Sequence, residues 1–77
     1  MTRDEVLRAM EEAAFLPVDS LQGTEPLSSL SKWDSLTGAE FRLIVQDRWQ
    51  VSLSGPAVLR CETVADILEL LGSHLED

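Results

Sequence analysis

Seventy-seven residues carry one cysteine, Cys61, and one histidine, His74. Those two counts constrain the fold more than any other feature. A single Cys closes no intramolecular disulfide, and one Cys with one His falls short of the four ligands of a structural zinc site. A core of this size supplies only about 3 to 5 kcal/mol unless its helices pack well. The chain therefore reads as one domain, residues 1–77, held by packing alone. A lone thiol fits a reducing, cytoplasmic setting.

Three helix starts are written into the chain. Thr2 and Glu5 have capping-box spacing, and Val6, Leu7, Met10, Ala13 and Ala14 recur at helical steps behind them, with Arg8, Glu11 and Glu12 on the polar side. Pro17 is expected to stop this first helix by about Leu16. Asp34 caps a second helix, expected to run to about Trp49, with Phe41, Ile44, Val45 and Trp49 along one apolar face. Thr63 and Asp66 cap a last one, whose Val64, Ile67, Leu68, Leu70 and Leu71 precede a terminating Gly72. Ser54 or Gly55 opens a short helical turn with Pro56 at its first position. Val51 and Leu53 alternate with polar residues but have no partner strand, so that stretch reads as loop.

Between Pro17 and Asp34 the pattern changes. Pro17, Gly23, Pro26, Ser28, Ser29 and Ser31 surround isolated Leu21, Leu27 and Leu30 with no helical or alternating period. A connection this long is uncommon in a compact domain, and its spaced leucines predict that it is pinned to the core. The expected fold class is all-α: a small antiparallel bundle of three longer helices plus one short helix, with a long loop between helices one and two. The second helix carries another apolar stripe, Leu36, Ala39 and Leu43, offset from the first. Either it lies under the long loop or it faces a partner.

Charge narrows the partners. Fourteen acidic against six basic residues leave a formal net charge of -8, which phosphate backbones and anionic membranes repel. Neither nucleic acid nor membrane is an expected partner, whereas basic protein surfaces are. With 44% hydrophobic residues the chain is too apolar for a disordered acidic tail. Acidic groups among the first fifteen residues argue against a signal peptide, and no apolar run approaches membrane-spanning length.

Enzyme readings fare badly. A Ser or Cys nucleophile needs a nearby base and a third group to orient it, yet His74 is three residues from the last position. Cys61 reads as a small buried apolar residue, and His74 as a helix C-terminal cation or an exposed tail residue. Glu11 and Glu12 sit on a polar helix face, and Glu62 and Asp66 flank a helix start where the dipole favours negative charge. No metal site or enclosed catalytic pocket is expected, so the chain does not read as an enzyme.

The segment Lys32-Trp33-Asp34-Ser35-Leu36 is the informative one. A serine in the first turn of a helix, directly after a long loop, presents its hydroxyl where free backbone N–H groups and the helix dipole favour an attached anion. Nothing in the chain activates Ser35, so a modifying enzyme would have to bring the base and the metal.

Asp34-Ser35-Leu36, the loop before it and the amphipathic helix after it resemble the acyl carrier and peptidyl carrier proteins. The likeness extends to Trp49-Gln50-Val51-Ser52-Leu53 and to Thr63-Val64-Ala65-Asp66-Ile67, and so covers nearly the whole chain. It implies a freestanding carrier of acyl or aminoacyl groups, monomeric, held as thioesters on 4'-phosphopantetheine attached to Ser35 by a phosphopantetheinyl transferase. Loading and processing enzymes of a fatty acid, polyketide or nonribosomal pathway would be its other partners. By the same resemblance Asp34 is near the phosphate during loading, besides its capping role. Leu36, Ala39 and Leu43 would face partners, and Glu40 and Asp47 would meet their Arg and Lys residues, the alternative for both acids being plain solvated charge.

Departures from the family pattern are Lys32 where Gly is frequent, Trp33 in place of a small residue, and Arg42 and Arg48, which dilute the helix's acidity. They point towards a specialised pathway. Trp33 either fills core or lines the cargo's path. Gly38 costs the helix about 1 kcal/mol against Ala, and its missing side chain lets the loop, the arm or a partner approach closely, the alternative being plain tolerance. The competing reading is a cofactor-free helical adaptor that binds through Leu36, Ala39 and Leu43; a third is a small hydrolase with Ser35 as nucleophile.

Overall fold

The computed structural model describes residues 1–30 and 33–76. Ser31 of the long loop, Lys32 of the segment above and Asp77 lie outside the described residues. Among the described residues the protein is all-α. Four helices, α1 (Arg3–Ala14), α2 (Ser35–Trp49), α3 (Gly55–Leu59) and α4 (Val64–Leu70), are joined by loops holding 3-10 turns at Leu27–Ser29 and Gly72–His74. Among these residues no strand forms; Pro26 and Thr63 make an isolated antiparallel bridge.

Each helix begins where a side chain satisfies its free donors. Thr2 Oγ1 accepts from Glu5 N at 3.2 Å while the Glu5 carboxylate accepts from Thr2 N at 2.9 Å, a closed capping box. Thr63 and Asp66 build the same box on α4. On α3 the cap is Ser54, whose hydroxyl accepts from Ala57 N at 3.1 Å, and Pro56 takes the second helical position rather than the first. α1 ends at Ala14, earlier than Pro17 alone implies. Phe15 turns left-handed, its N–H reaching Glu12 O and the N–H of Leu16 reaching Glu11 O at 2.8 Å, which closes the helix and leaves Phe15 82% exposed.

α1 packs on α2, α2 on α3 and α3 on α4. Val6, Met10, Phe41, Val45, Val64, Ile67 and Leu71 are fully buried between them. Trp49, Ile44 and Trp33 pack half-buried against that cluster. Removing the Phe41 ring would cost roughly 3 to 5 kcal/mol in transfer and cavity terms, comparable to the whole stability of so small a domain. No helix among the described residues is long and apolar enough to cross a membrane.

The long loop is pinned as its leucines suggested, since Leu21 and Leu27 are buried in the core cluster. One residue departs from expectation. Glu11 is not on a wet face but 1% exposed, because the loop folds back over it. Its carboxylate accepts from Leu21 N at 2.8 Å and Asp19 N at 3.2 Å. Arg8 Nε lies 2.7 Å away, an ion pair whose N–H is not aligned as a hydrogen bond. The Arg8 guanidinium also pairs with Asp19 and donates to Leu21 O at 3.3 Å. Helix periodicity placed Glu11 correctly on α1; what covers it comes from residues eight to ten positions onward.

Candidate functional site

The loop is sewn to the start of α4 before it reaches α2. Leu27 N donates to Glu62 O and Val64 N to Glu25 O, each at 2.9 Å. Upstream, the Glu25 carboxylate gathers the N–H groups of Gln22, Gly23 and Thr24 at 2.6 to 3.1 Å. Desolvation alone would raise its pKa, but these donors together outweigh it and hold Glu25 below the usual carboxylate range. Gly23 sits there at φ +114°, a conformation open to glycine. The loop thereby delivers Trp33 and Asp34 to one fixed edge of the bundle.

Asp34 caps α2. Its Oδ1 accepts from Thr37 N at 2.9 Å, and its backbone oxygen from Gly38 N at 2.9 Å. The Thr37 backbone and hydroxyl donors hold the Asp34 carboxyl below its ordinary range. Ser35 follows as the first helical residue, with its side chain exposed. Trp33 stacks tilted against buried Phe41, ring centroids 5.9 Å apart, so it fills core with one face. The rest of it borders a groove of about 560 Å³ that Ser35 also lines, whose walls are Pro26, Leu27, Val58, Cys61 and Thr63. Trp33 thus both packs on the core and lines the groove.

The second apolar stripe of α2 is exposed, not covered by the loop. Leu36 is 78% and Leu43 61% exposed, Ala39 is half-buried between them, and Glu40 and Asp47 stand exposed beside it. At steps of three, four, seven and eleven from Leu36, all five occupy one helix face adjoining Ser35. Leu43, Glu40 and Asp47 also border a shallow hollow of about 530 Å³. Gly38 is buried against α3, where an added Cβ would meet Val58 Cγ1 at 3.4 Å. The close approach its missing side chain allows is therefore that of α3.

No family model, curated protein or solved structure matches the chain significantly. The functional reading rests on the site itself. His74 lies exposed in the Gly72–His74 turn and is not part of the groove wall. Cys61 is half-buried, its thiol donating to Ala57 O at 3.4 Å; burial, then the nearby Asp66 charge, push that thiol up and disfavour a thiolate. The groove's ionisable groups beside Ser35 are Asp34, Cys61 and Glu62. Asp34 is already committed to the cap. No group of three or more His, Cys, Asp or Glu among the described residues is arranged to hold a metal.

Cys61, Glu62, Thr63, Pro26 and the 65% exposed Leu59 were not read from the sequence as neighbours of Ser35. They reach it only through the loop-to-α4 bridge and the packing of α3 on α2. The sequence signal for this was Gly38, whose missing side chain allows a close approach.

Proposed function

We propose that the chain is a carrier of acyl or aminoacyl groups with an acyl-carrier-like helical bundle, and that Ser35 is its attachment point for 4'-phosphopantetheine. The observation that carries this reading is an exposed serine hydroxyl in the first turn of a fifteen-residue helix, at the mouth of a groove and beside an exposed apolar face. An unactivated hydroxyl suits a residue that is modified rather than one that reacts by itself. The positive end of the α2 dipole favours the phosphodiester that would form there.

Loading would join Ser35 Oγ to the phosphorus of the pantetheine arm while the phosphoanhydride of coenzyme A breaks and adenosine bisphosphate leaves. The transferase supplies magnesium and the base that takes the serine proton. Asp34 holds the helix start, and its carboxylate would add negative charge near the magnesium that the transferase brings. Once attached, the arm supplies a terminal thiol that holds cargo as a reactive thioester and reaches partner active sites at high effective concentration. Leu36, Ala39 and Leu43 provide the apolar contact for those enzymes. Glu40 and Asp47 steer basic partners and govern encounter rate more than final affinity.

The exposure of Leu36 and Leu43 also favours the adaptor reading, in which the same face binds a partner without any cofactor. Intact mass after incubation with coenzyme A, magnesium and a broad-specificity phosphopantetheinyl transferase separates the two. The carrier gains one phosphopantetheine and Ser35→Ala gains none; an unmodified folded wild type favours the adaptor.

A further inference from the structure

Acidic groups outnumber basic ones by fourteen to six, and the guanidiniums of Arg8 and Arg48 are paired accordingly: Arg8 meets Asp4, Glu11 and Asp19, and Arg48 meets Glu12. Arg42 makes no ion pair among the described residues. The helix explains why. Its neighbours three and four steps away on α2 are Gly38, Ala39, Val45 and Gln46, none of them acidic. At about 100° per residue, Arg42 stands roughly 100° from Leu43 on one side, whereas Asp47 and Glu40 stand about 40° and 60° from it on the other. What holds Arg42 is the loop before α3: its Nε donates to Leu53 O at 3.0 Å, and its Nη1 lies 3.1 Å from where a Cβ of Gly55 would stand. This strap fixes the guanidinium plane while both Nη amino groups donate to none of the described residues.

Beside the exposed stripe of α2, Ala39, Arg42, Leu43, Gln46 and Leu53 line a hollow of about 180 Å³. That is below the roughly 300 to 1,000 Å³ of sites for whole small molecules and suits a single side chain. Three of its walls are apolar, and its one charge is a pre-oriented guanidinium, whose best partner is a carboxylate gripped by two N–H groups. We infer that this hollow is a socket for a glutamate side chain of the protein partner that docks on the Leu36–Leu43 face: its methylenes meet Ala39, Leu43 and Leu53, and its carboxylate meets Arg42. The face is thereby polarised across the leucines, with Glu40 and Asp47 on one edge and Arg42 on the other. A matching partner carries a base on the first edge and an acid on the second, and so sits in one orientation. A uniformly basic surface puts like charge on Arg42 and is selected against. The inference goes beyond the carrier reading, because it concerns the face that carrier and adaptor share and stands whether or not Ser35 is loaded.

The test titrates the ¹⁵N-labelled protein, unmodified at Ser35, with N-acetyl-glutamate N-methylamide and with its uncharged glutamine counterpart, following backbone amides and the arginine Nε–H signals. An ionic strength of about 0.15 M, with a screening length of about 8 Å, damps the repulsion from distant acids and leaves the contact pair. The glutamate derivative is expected to shift the Arg42 Nε–H and the Ala39, Leu43 and Leu53 amides saturably, and to bind about threefold or more tighter than the glutamine derivative, the scale of one accessible charge pair. Arg42→Gln should bind both alike. Arg42→Lys is the companion variant should Arg42→Gln not fold, and should keep only part of the preference. Equal affinity of wild type for the two derivatives, shifts lying elsewhere, or a preference that survives in Arg42→Gln overturns the inference. Loading Ser35 supplies the last arm: if the attached phosphate fills the socket, loading shifts the Arg42 Nε–H and abolishes binding of the glutamate derivative, which also overturns it. Failure to load bears on the carrier reading alone, and intact mass reports it separately.

Discussion

Glu11→Ala removes the carboxylate that fastens the long loop to α1. It strands the buried Leu21 N–H, held at 2.8 Å, and the partly buried Asp19 N–H, held at 3.2 Å. A buried donor left unsatisfied costs about 1 to 3 kcal/mol, and the partly buried one about half of that. Arg8 also loses a partner, but its side chain is 25% exposed and keeps Asp19, so it adds less than about 1 kcal/mol. The sum is about 3 kcal/mol, or a fall of at least roughly 12 °C in Tm for a domain of this size. Glu11→Gln retains one acceptor oxygen and should lose about half as much. Urea unfolding followed by Trp33 and Trp49 fluorescence measures both, since each ring is half-buried. A Glu11→Ala protein within about 0.5 kcal/mol of wild type would refute the latch, because surface substitutions fall in that range.

Other substitutions test other parts of the account. Gly38→Ala should be neutral or stabilising by up to about 1 kcal/mol in a thermal melt, since the helix propensity gained outweighs an ordinary contact with Val58 at 3.4 Å; a loss above 1 kcal/mol would mean that α3 cannot give. Thr63→Ala breaks the α4 capping box and should cost about 1 kcal/mol, read from the urea midpoint at unchanged slope. Glu25, Asp34 and Asp66 all have lowered carboxyl pKa values in the fold. Each therefore contributes stability that is complete above the ordinary carboxylate range, near pH 4, and is lost as pH falls through the lowered values. Stability should thus decline from about pH 5 downward, and Asp66→Asn should flatten part of that decline; a flat profile from pH 6 to pH 3 would contradict it. Ser35→Ala, at an exposed position, should change stability by less than about 0.5 kcal/mol.

Local chemistry explains why so much of the architecture was legible. The caps at Thr2, Asp34 and Thr63 act within three residues, so their partners are visible in the chain itself. Leu21 and Leu27 stood out because isolated leucines in a polar loop have few reasons to be there but burial. Glu11 was misread for the opposite reason: its backbone partners arrive only when the loop folds back, which no helical period encodes. The same holds for Arg42 with Leu53 and for Arg48, which pairs with Glu12 at 2.6 Å across two helices. At the site, Ser35 and the Leu36 stripe follow from α2 alone, but the exposure of that stripe depends on where the loop runs. The groove wall formed by Cys61, Glu62 and Thr63 does not, since it depends on where the loop is sewn to α4.

The central claim is that Ser35 is an acceptor for a phosphopantetheine arm. Intact mass of the folded protein and of Ser35→Ala, each incubated with coenzyme A, magnesium and a broad-specificity transferase, tests it directly. A single phosphopantetheine added to wild type and none to the variant is the expected result. Loading of Ser35→Ala, or no addition to wild type by several transferases, would contradict it.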